Sequence, residues 1–177
     1  MQRRFDETER QIDKTQRHIN KTQRHINKLS KNVGGVNNKL GKLTEAMFSA
    51  RLWEKFSKEG YEFTKQSPNV QFVDKESKRV MAEADFMLED GIYAMVVEVK
   101  VSLNKEDVDD HLKRIEKIRK HMDGRGDNRK LLGAVATGIV KDDAIQYAQK
   151  NGLYVFVQSG DSVIVADAPP DFQAREW

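Results

Sequence analysis

The chain contains no cysteine, which excludes disulfide staples and thiolate metal sites. It also has no long hydrophobic run. The longest apolar stretch, residues 131–140, is too short to span a bilayer, and the first twenty residues are charged and lack an apolar signal-peptide core. The expectation is a soluble cytoplasmic protein with no membrane partner. Acidic residues are scarce in one region only. Residues 1–43 hold 11 Lys and Arg against 4 Asp and Glu, a net charge of +7, whereas the remainder holds 20 against 24, a net −4. The overall +3 therefore hides a basic extension joined to a mildly acidic domain. At 177 residues the chain has room for one compact domain of about 130 residues with a real core, plus that extension.

The extension is periodic. Residues 14–20 and 21–27 spell the same heptad, Lys-Thr-Gln-Arg-His-Ile-Asn, and the seven-residue period continues on both sides. Placing Phe5, Ile12, Ile19, Ile26, Val33, Leu40 and Met47 at position a puts Thr8, Thr15, Thr22, Leu29, Val36 and Leu43 at d. Every a position is apolar, so residues 1–43 read as a coiled-coil helix that makes a homo-oligomer. A parallel dimer is favoured, while three threonines at d leave trimer and tetramer open. Gly34 and Gly35 each cost a helix about 1 kcal/mol relative to alanine, and the helix is either continuous through them or hinged there. Unbroken from about Asp6 to Glu59, it would be roughly 80 Å long. His18 and His25, both at g, lie about 10.5 Å apart along the axis, too far to share an ion within one helix.

Within 44–177, two strand-like runs, 80–88 and 92–101, flank the turn signal Glu89-Asp90-Gly91 and should pair antiparallel. With Asp90 and Gly91 as the two central turn residues, Glu89 sits opposite Ile92, Asp85 sits opposite Val96, and Glu98 is the diagonal neighbour of Asp85. Lys100 shares that face. Ala84, Phe86, Leu88, Met95, Val97 and Val99 form the opposite, apolar face. Carboxylates inside Val-Val-Glu-Val-Lys-Val are costly to desolvate unless a cation offsets them. Two carboxylates and a lysine gathered this way suit a divalent metal beside an activated water.

Asp85, Glu98, Val99 and Lys100 resemble the signature of the PD-(D/E)XK nuclease superfamily, with Ala84 at the position of the nominal proline. In that superfamily a helix before the hairpin often adds a glutamate. Residues 44–59 read as such a helix, with Glu45, Phe48, Leu52 and Phe56 along one stripe, and Glu45 is the fourth candidate. More narrowly, the segments Ala82-Glu83-Ala84-Asp85, Val96-Val97-Glu98-Val99-Lys100, 107–111 and Ala174-Arg175-Glu176-Trp177 resemble a bacterial family, defined by sequence, that joins a coiled coil to a nuclease-like domain. The resemblance implies metal-dependent phosphodiester hydrolysis of DNA. Asp85, Glu98 and the Val99 carbonyl would hold Mg²⁺ or Mn²⁺, Lys100 would orient the attacking water, and Glu45 would hold a second ion or its water.

Downstream, 105–122 reads as a helix with Val108, Leu112, Ile115, Arg119 and Met122 on one side, and 131–136 reads as a strand. A helix capped by Asp142 or Asp143 runs to Lys150, followed by a final hairpin, 153–157 with 163–166, around Ser159-Gly160-Asp161. The order fits an α/β domain with a mixed sheet and the α-β-β-β-α-β restriction-endonuclease-like core of the resembled superfamily. His111 sits at the edge of the helix stripe, open to a phosphate contact or to ordinary packing. Lys113, Arg114, Lys117, Arg119, Lys120, Arg125, Arg129 and Lys130 form a candidate basic patch. A non-catalytic nucleic-acid-binding or assembly module on the same fold is the rival reading, supported by the acidic domain. A protein-binding scaffold using Arg17 and Arg24 at f positions is a third.

Overall fold

The computed structural model describes the backbone of residues 2–49, 52–159 and 162–177, with side chains except at 2–10, 13 and 58. The expected roles of Phe5 and Thr8 in the seam, and of Gly160 and Asp161 in the last turn, lie outside these described residues. Two compact units are present, Met1–Leu40 and Gly41–Trp177. Among the described residues no helix is long and apolar enough to cross a membrane.

The first unit is helical. Helix α1 (Gln2–Ser49) passes through Gly34 and Gly35 without a break. Its described apolar a and d side chains are exposed, from Ile12 at 61% to Leu40 at 43%. Thr15, at d, turns its hydroxyl back to the Gln11 carbonyl at 2.8 Å, a helix-internal bond that leaves the seam weakly apolar there.

The expected helix to Glu59 does not form as one α-helix. After Ser49 the chain resumes as a 3₁₀ segment, Leu52–Glu59. The Ser49 hydroxyl donates to the Ala46 carbonyl at 2.7 Å, and the Ser49 carbonyl accepts from Gln66 Nε2 at 2.8 Å. A carbonyl near a helix end has no helical N–H to meet, and this one is met by a distant side chain. Phe48, Leu52 and Phe56 are nevertheless fully buried, as their stripe requires.

The second unit is built on a six-stranded mixed sheet whose spatial order follows the sequence. The strands are β1 (Lys65–Val73), β2 (Val80–Glu89), β3 (Tyr93–Ser102), β4 (Lys130–Ile139), β5 (Tyr154–Ser159) and β6 (Ser162–Val165), with α2 (Lys105–Gly124) and α3 (Asp142–Lys150) between them. The first three strands and the last pair are antiparallel, while β3–β4 and β4–β5 are parallel through the two helical crossovers. Helices α2 and α3 cover one face, burying Val108, Ile115, Ile118 and Ala148 against Ala94, Val96, Val135 and Val155. Phe48, Leu52, Phe56 and Phe63 cover the other, against Met95, Val97, Leu132 and Phe156.

Several local features differ from the sequence reading. Strand β1 lies in a segment that the sequence reading leaves unassigned, and it carries Pro68 and the left-handed Asn69 (φ 51°), which a central strand would reject. Its position at the sheet edge tolerates them. The β2–β3 turn is longer than two residues: Glu89 pairs with Ala94, not Ile92. The Asp90 carboxylate accepts from the Ile92 and Tyr93 N–H groups at 2.7 and 2.6 Å and stabilises the wider loop. Helix α2 opens with a capping box, in which Asn104 Oδ1 accepts from Asp107 N–H and Asp107 Oδ2 accepts from Asn104 N–H. Helix α3 has Lys141 at its N-cap without a side-chain cap bond, and Asp142 and Asp143 fall in its first turn.

Candidate active site

The ladder between β2 and β3 is short. Pairing runs from Glu89↔Ala94 to Phe86↔Val97 and stops, although both strands continue. The strands part at Asp85 and Glu98. Side-chain alternation also breaks there. Phe86 and Leu88 belong to the core beneath Phe48 and Phe56, whereas Ala84 and Ala82 belong to the core beneath α2. Ala84 therefore does not share the face of Phe86 and Leu88 as expected. Where the backbone ladder lapses, the side chain of Asp85 spans the gap, its Oδ2 accepting from Val99 N–H at 2.7 Å.

The register differs from the expected one by two residues. Continuing the observed pairing sets Asp85 opposite Glu98 rather than Val96. An even shift preserves the face, so the two carboxylates meet as intended but more closely. Glu98 is only 6% exposed. Its Oε1 bonds Lys100 Nζ at 3.0 Å and its Oε2 pairs with Arg114 Nη1. Lys100 Nζ also lies 3.7 Å from Asp107 Oδ1, which ties the site to the capping box of α2. A cleft lined by Val80, Met81, Ala82, Glu83, Asp85, Glu98 and Arg114 opens over the pair.

The electrostatics follow from this crowding. Burial, and then the neighbouring Glu98 charge, push the Asp85 carboxyl up to about 6 against the opposing Val99 N–H bond, and Glu45 adds to the rise from a distance. Burial also disfavours the Lys100 ammonium, but the hydrogen bond and charge of Glu98, with Asp107, outweigh it and hold the group above its ordinary value. Lys100 is thus a cation at neutral pH. His111 is fully buried, and neither ring nitrogen makes a well-aligned hydrogen bond. Burial holds its pKa down to about 4, against smaller opposing effects of Glu98 and of the Val96 and Ala134 backbone. It is a neutral ring packed under the site, the packing alternative of the two that the sequence leaves open.

The residues expected from the sequence are thus only partly assembled. Asp85, Glu98, Val99 and Lys100 converge. Glu45 is half-buried and acts on Asp85 through its charge. Among the described residues no three His, Asp or Glu side chains stand close enough to hold an ion together. The expected donors are two carboxylates and a backbone carbonyl, with both Glu98 oxygens facing Lys100 and Arg114 and Asp85 Oδ2 accepting from Val99 N–H. Such hard oxygen donors fit Mg²⁺, which keeps several waters and takes few protein ligands.

Arg114 was read from the sequence as surface charge, yet it reaches Glu98. The available signal was its spacing. Asp107 and Arg114 lie seven residues apart, two helical turns, and both meet the Glu98–Lys100 pair of β3. Of the other seven members of the expected basic patch, four are held in ion pairs: Lys113 with Asp110, Arg119 with Asp123, Arg129 with Asp127 and Glu89, and Lys130 with Glu176.

The chain is an α/β protein with a six-stranded mixed sheet and a long N-terminal helix, carrying a carboxylate–lysine cluster where two strands separate. No family model matches it, and no curated protein matches it. Among solved structures it is similar to the small subunit of the heterodimeric restriction endonuclease R.BspD6I, at 11% identity and a TM-score of 0.35, over 68% of this chain and 71% of that chain.

Proposed function

We propose that the Gly41–Trp177 unit is a metal-dependent phosphodiesterase acting on DNA. The observation that carries this reading is the meeting of Asp85, Glu98, the Val99 backbone and Lys100 at the point where β2 leaves β3. A desolvated carboxylate pair beside an ammonium suits in-line attack on a phosphodiester. Mg²⁺ or Mn²⁺ held by Asp85, Glu98 and the Val99 carbonyl would supply charge neutralisation and a more acidic water. Lys100, held protonated, orients the attacking water and offsets charge that builds on the phosphoryl oxygens. Arg114 fixes the Glu98 carboxylate and adds a second positive group at the cleft. Glu45, within electrostatic reach of Asp85, draws cations toward that side of the site.

The arm supports a homo-oligomer in which second copies cover the exposed heptad seam, with a parallel dimer favoured. A second reading, a non-catalytic module on the same fold, is favoured by one observation: both Glu98 oxygens already face cations, Lys100 and Arg114. The two readings separate in a cleavage assay on supercoiled, linear, single-stranded and branched DNA with Mg²⁺ or Mn²⁺. The nuclease cuts as wild type and fails as Lys100→Ala or in chelator. If folded wild type leaves every substrate intact, the non-catalytic module stands.

A further inference from the structure

We propose that the face of α1 opposite its apolar seam is a docking track for the phosphate backbone of duplex DNA. Lys14, Arg17, Lys21, Arg24, Lys28 and Lys31 follow one another at spacings of three and four residues, and all six are exposed. That spacing keeps them on one face. They occupy heptad positions c and f, whereas Ile12, Ile19, Ile26, Leu29 and Val33 occupy a and d. At about 100° per residue the two stripes lie on nearly opposite sides of the helix. A second copy covering the seam therefore leaves the cations facing outward.

The ridge is uncompensated. No Asp or Glu occurs between Lys14 and Thr44. Among the described residues, none of the six has an ion-pair partner, unlike Arg114, Arg119 and Arg129 of the second unit. Six positive charges thus line about 25 Å of helix. Beside them, Gln16 bonds Asn20 and Gln23 bonds Asn27, each at 3.3 Å. Amides of this kind contact phosphate and sugar without reading sequence.

The chemistry of the ridge selects among anionic partners. There is no Phe, Tyr or Trp from Asp6 to Met47, so the arm offers no stacking platform of that kind for a single strand and no large aromatic anchor for a protein interface. A helix lying in a bilayer surface buries its apolar face and sends flanking lysines up to the headgroups. Here the apolar stripe is the seam that a second copy covers, which leaves no apolar face to enter the lipid. A rigid polyanion alongside the outer face fits both stripes. The track lies in the Met1–Leu40 unit and the carboxylate site in the Gly41–Trp177 unit, and binding along it needs no metal, so it goes beyond the nuclease reading.

The test is fluorescence anisotropy of a 30-base-pair duplex with the full chain in excess EDTA, over a salt series. Wild type is compared with a quadruple variant, Arg17→Gln, Lys21→Gln, Arg24→Gln and Lys28→Gln. Glutamine keeps nearly the same helix propensity, and the seam is untouched, so circular dichroism and sedimentation should match wild type. Affinity at low salt is expected to fall at least about tenfold, and the slope of log K against log salt to flatten by about 0.9 for each phosphate no longer neutralised. A milder pair, Lys21→Gln with Lys28→Gln, should give a partial loss and serves if the quadruple variant misfolds. Because the titration is run in EDTA, it reads the track whether or not the Gly41–Trp177 unit cuts, which separates the failure of the track from the failure of the nuclease. Unchanged affinity and slope in the variants overturn the proposal. So does a loss confined to vesicles containing phosphatidylserine, which would assign the ridge to a membrane surface.

Discussion

Replacing Asp85 with asparagine should stabilise the metal-free protein at neutral pH, although it removes a candidate ligand. The Asp85 carboxyl is raised from 3.8 to about 6 by burial and by Glu98. A shift of about two units corresponds to about 3 kcal/mol between the two protonation states. The side chain is partly solvent-screened, so about 1–2 kcal/mol is the expected share. The folded chain binds this proton more tightly than the unfolded chain does. The penalty is therefore absent below about pH 4, grows as pH rises through the interval to about 6, and is complete by about pH 7. Asparagine has no such penalty, and its amide oxygen can still accept from Val99 N–H, as Asp85 does at 2.7 Å. In EDTA at pH 7.5 the variant should melt about 3–6 °C above wild type, with the gap closing by pH 4. Excess Mg²⁺ should reverse the order, since a ligand that binds only the folded wild type stabilises it by mass action, about 2.7 kcal/mol at one hundred times its Kd. A variant less stable than wild type at neutral pH, or a gap that does not change with pH, would refute the reasoning.

Removing Arg114 as Arg114→Ala leaves the buried Glu98 with Lys100 alone. A loss of roughly 1–3 kcal/mol is expected, measured by urea denaturation. Asn104→Ala deletes half of the capping box and should cost about 1 kcal/mol by the same measurement, with Asn104→Asp largely restoring it. Ile19→Asn combined with Ile26→Asn places amides at two seam positions and should shift sedimentation to the monomer mass. Circular dichroism of the Gly41–Trp177 unit's sheet should be retained.

That Asp85 and Glu98 line one cleft was legible from strand parity, although the ladder stops one step short of them. The turn was misjudged by two residues, yet both carboxylates stayed on one side. What escaped depended on contacts between segments far apart in sequence. Nothing local to Ser49 announces that its carbonyl is met by Gln66, seventeen residues later. Arg114 looks like any exposed arginine until α2 is laid across β3, sixteen residues away. Strand β1, left unassigned from the sequence, holds Pro68 and Asn69, residues that a central strand rejects and an edge accepts. The polarity of His111 suggested a helix edge, but the α2 face of the sheet takes it in as a neutral ring.

The sequential order of the sheet, β1 through β6 without a strand out of place, bears on how the domain assembles. Each strand finds its neighbour across a single turn or a single helix, so the entropy lost in closing each loop stays small and the route to the native state is fast for a parallel-containing sheet. Asp85 and Glu98 are brought together by hairpin closure, an event of microseconds. Both carboxylates and Lys100 thus belong to one local hairpin, and only Arg114, on α2, is added to the cluster by a crossover element.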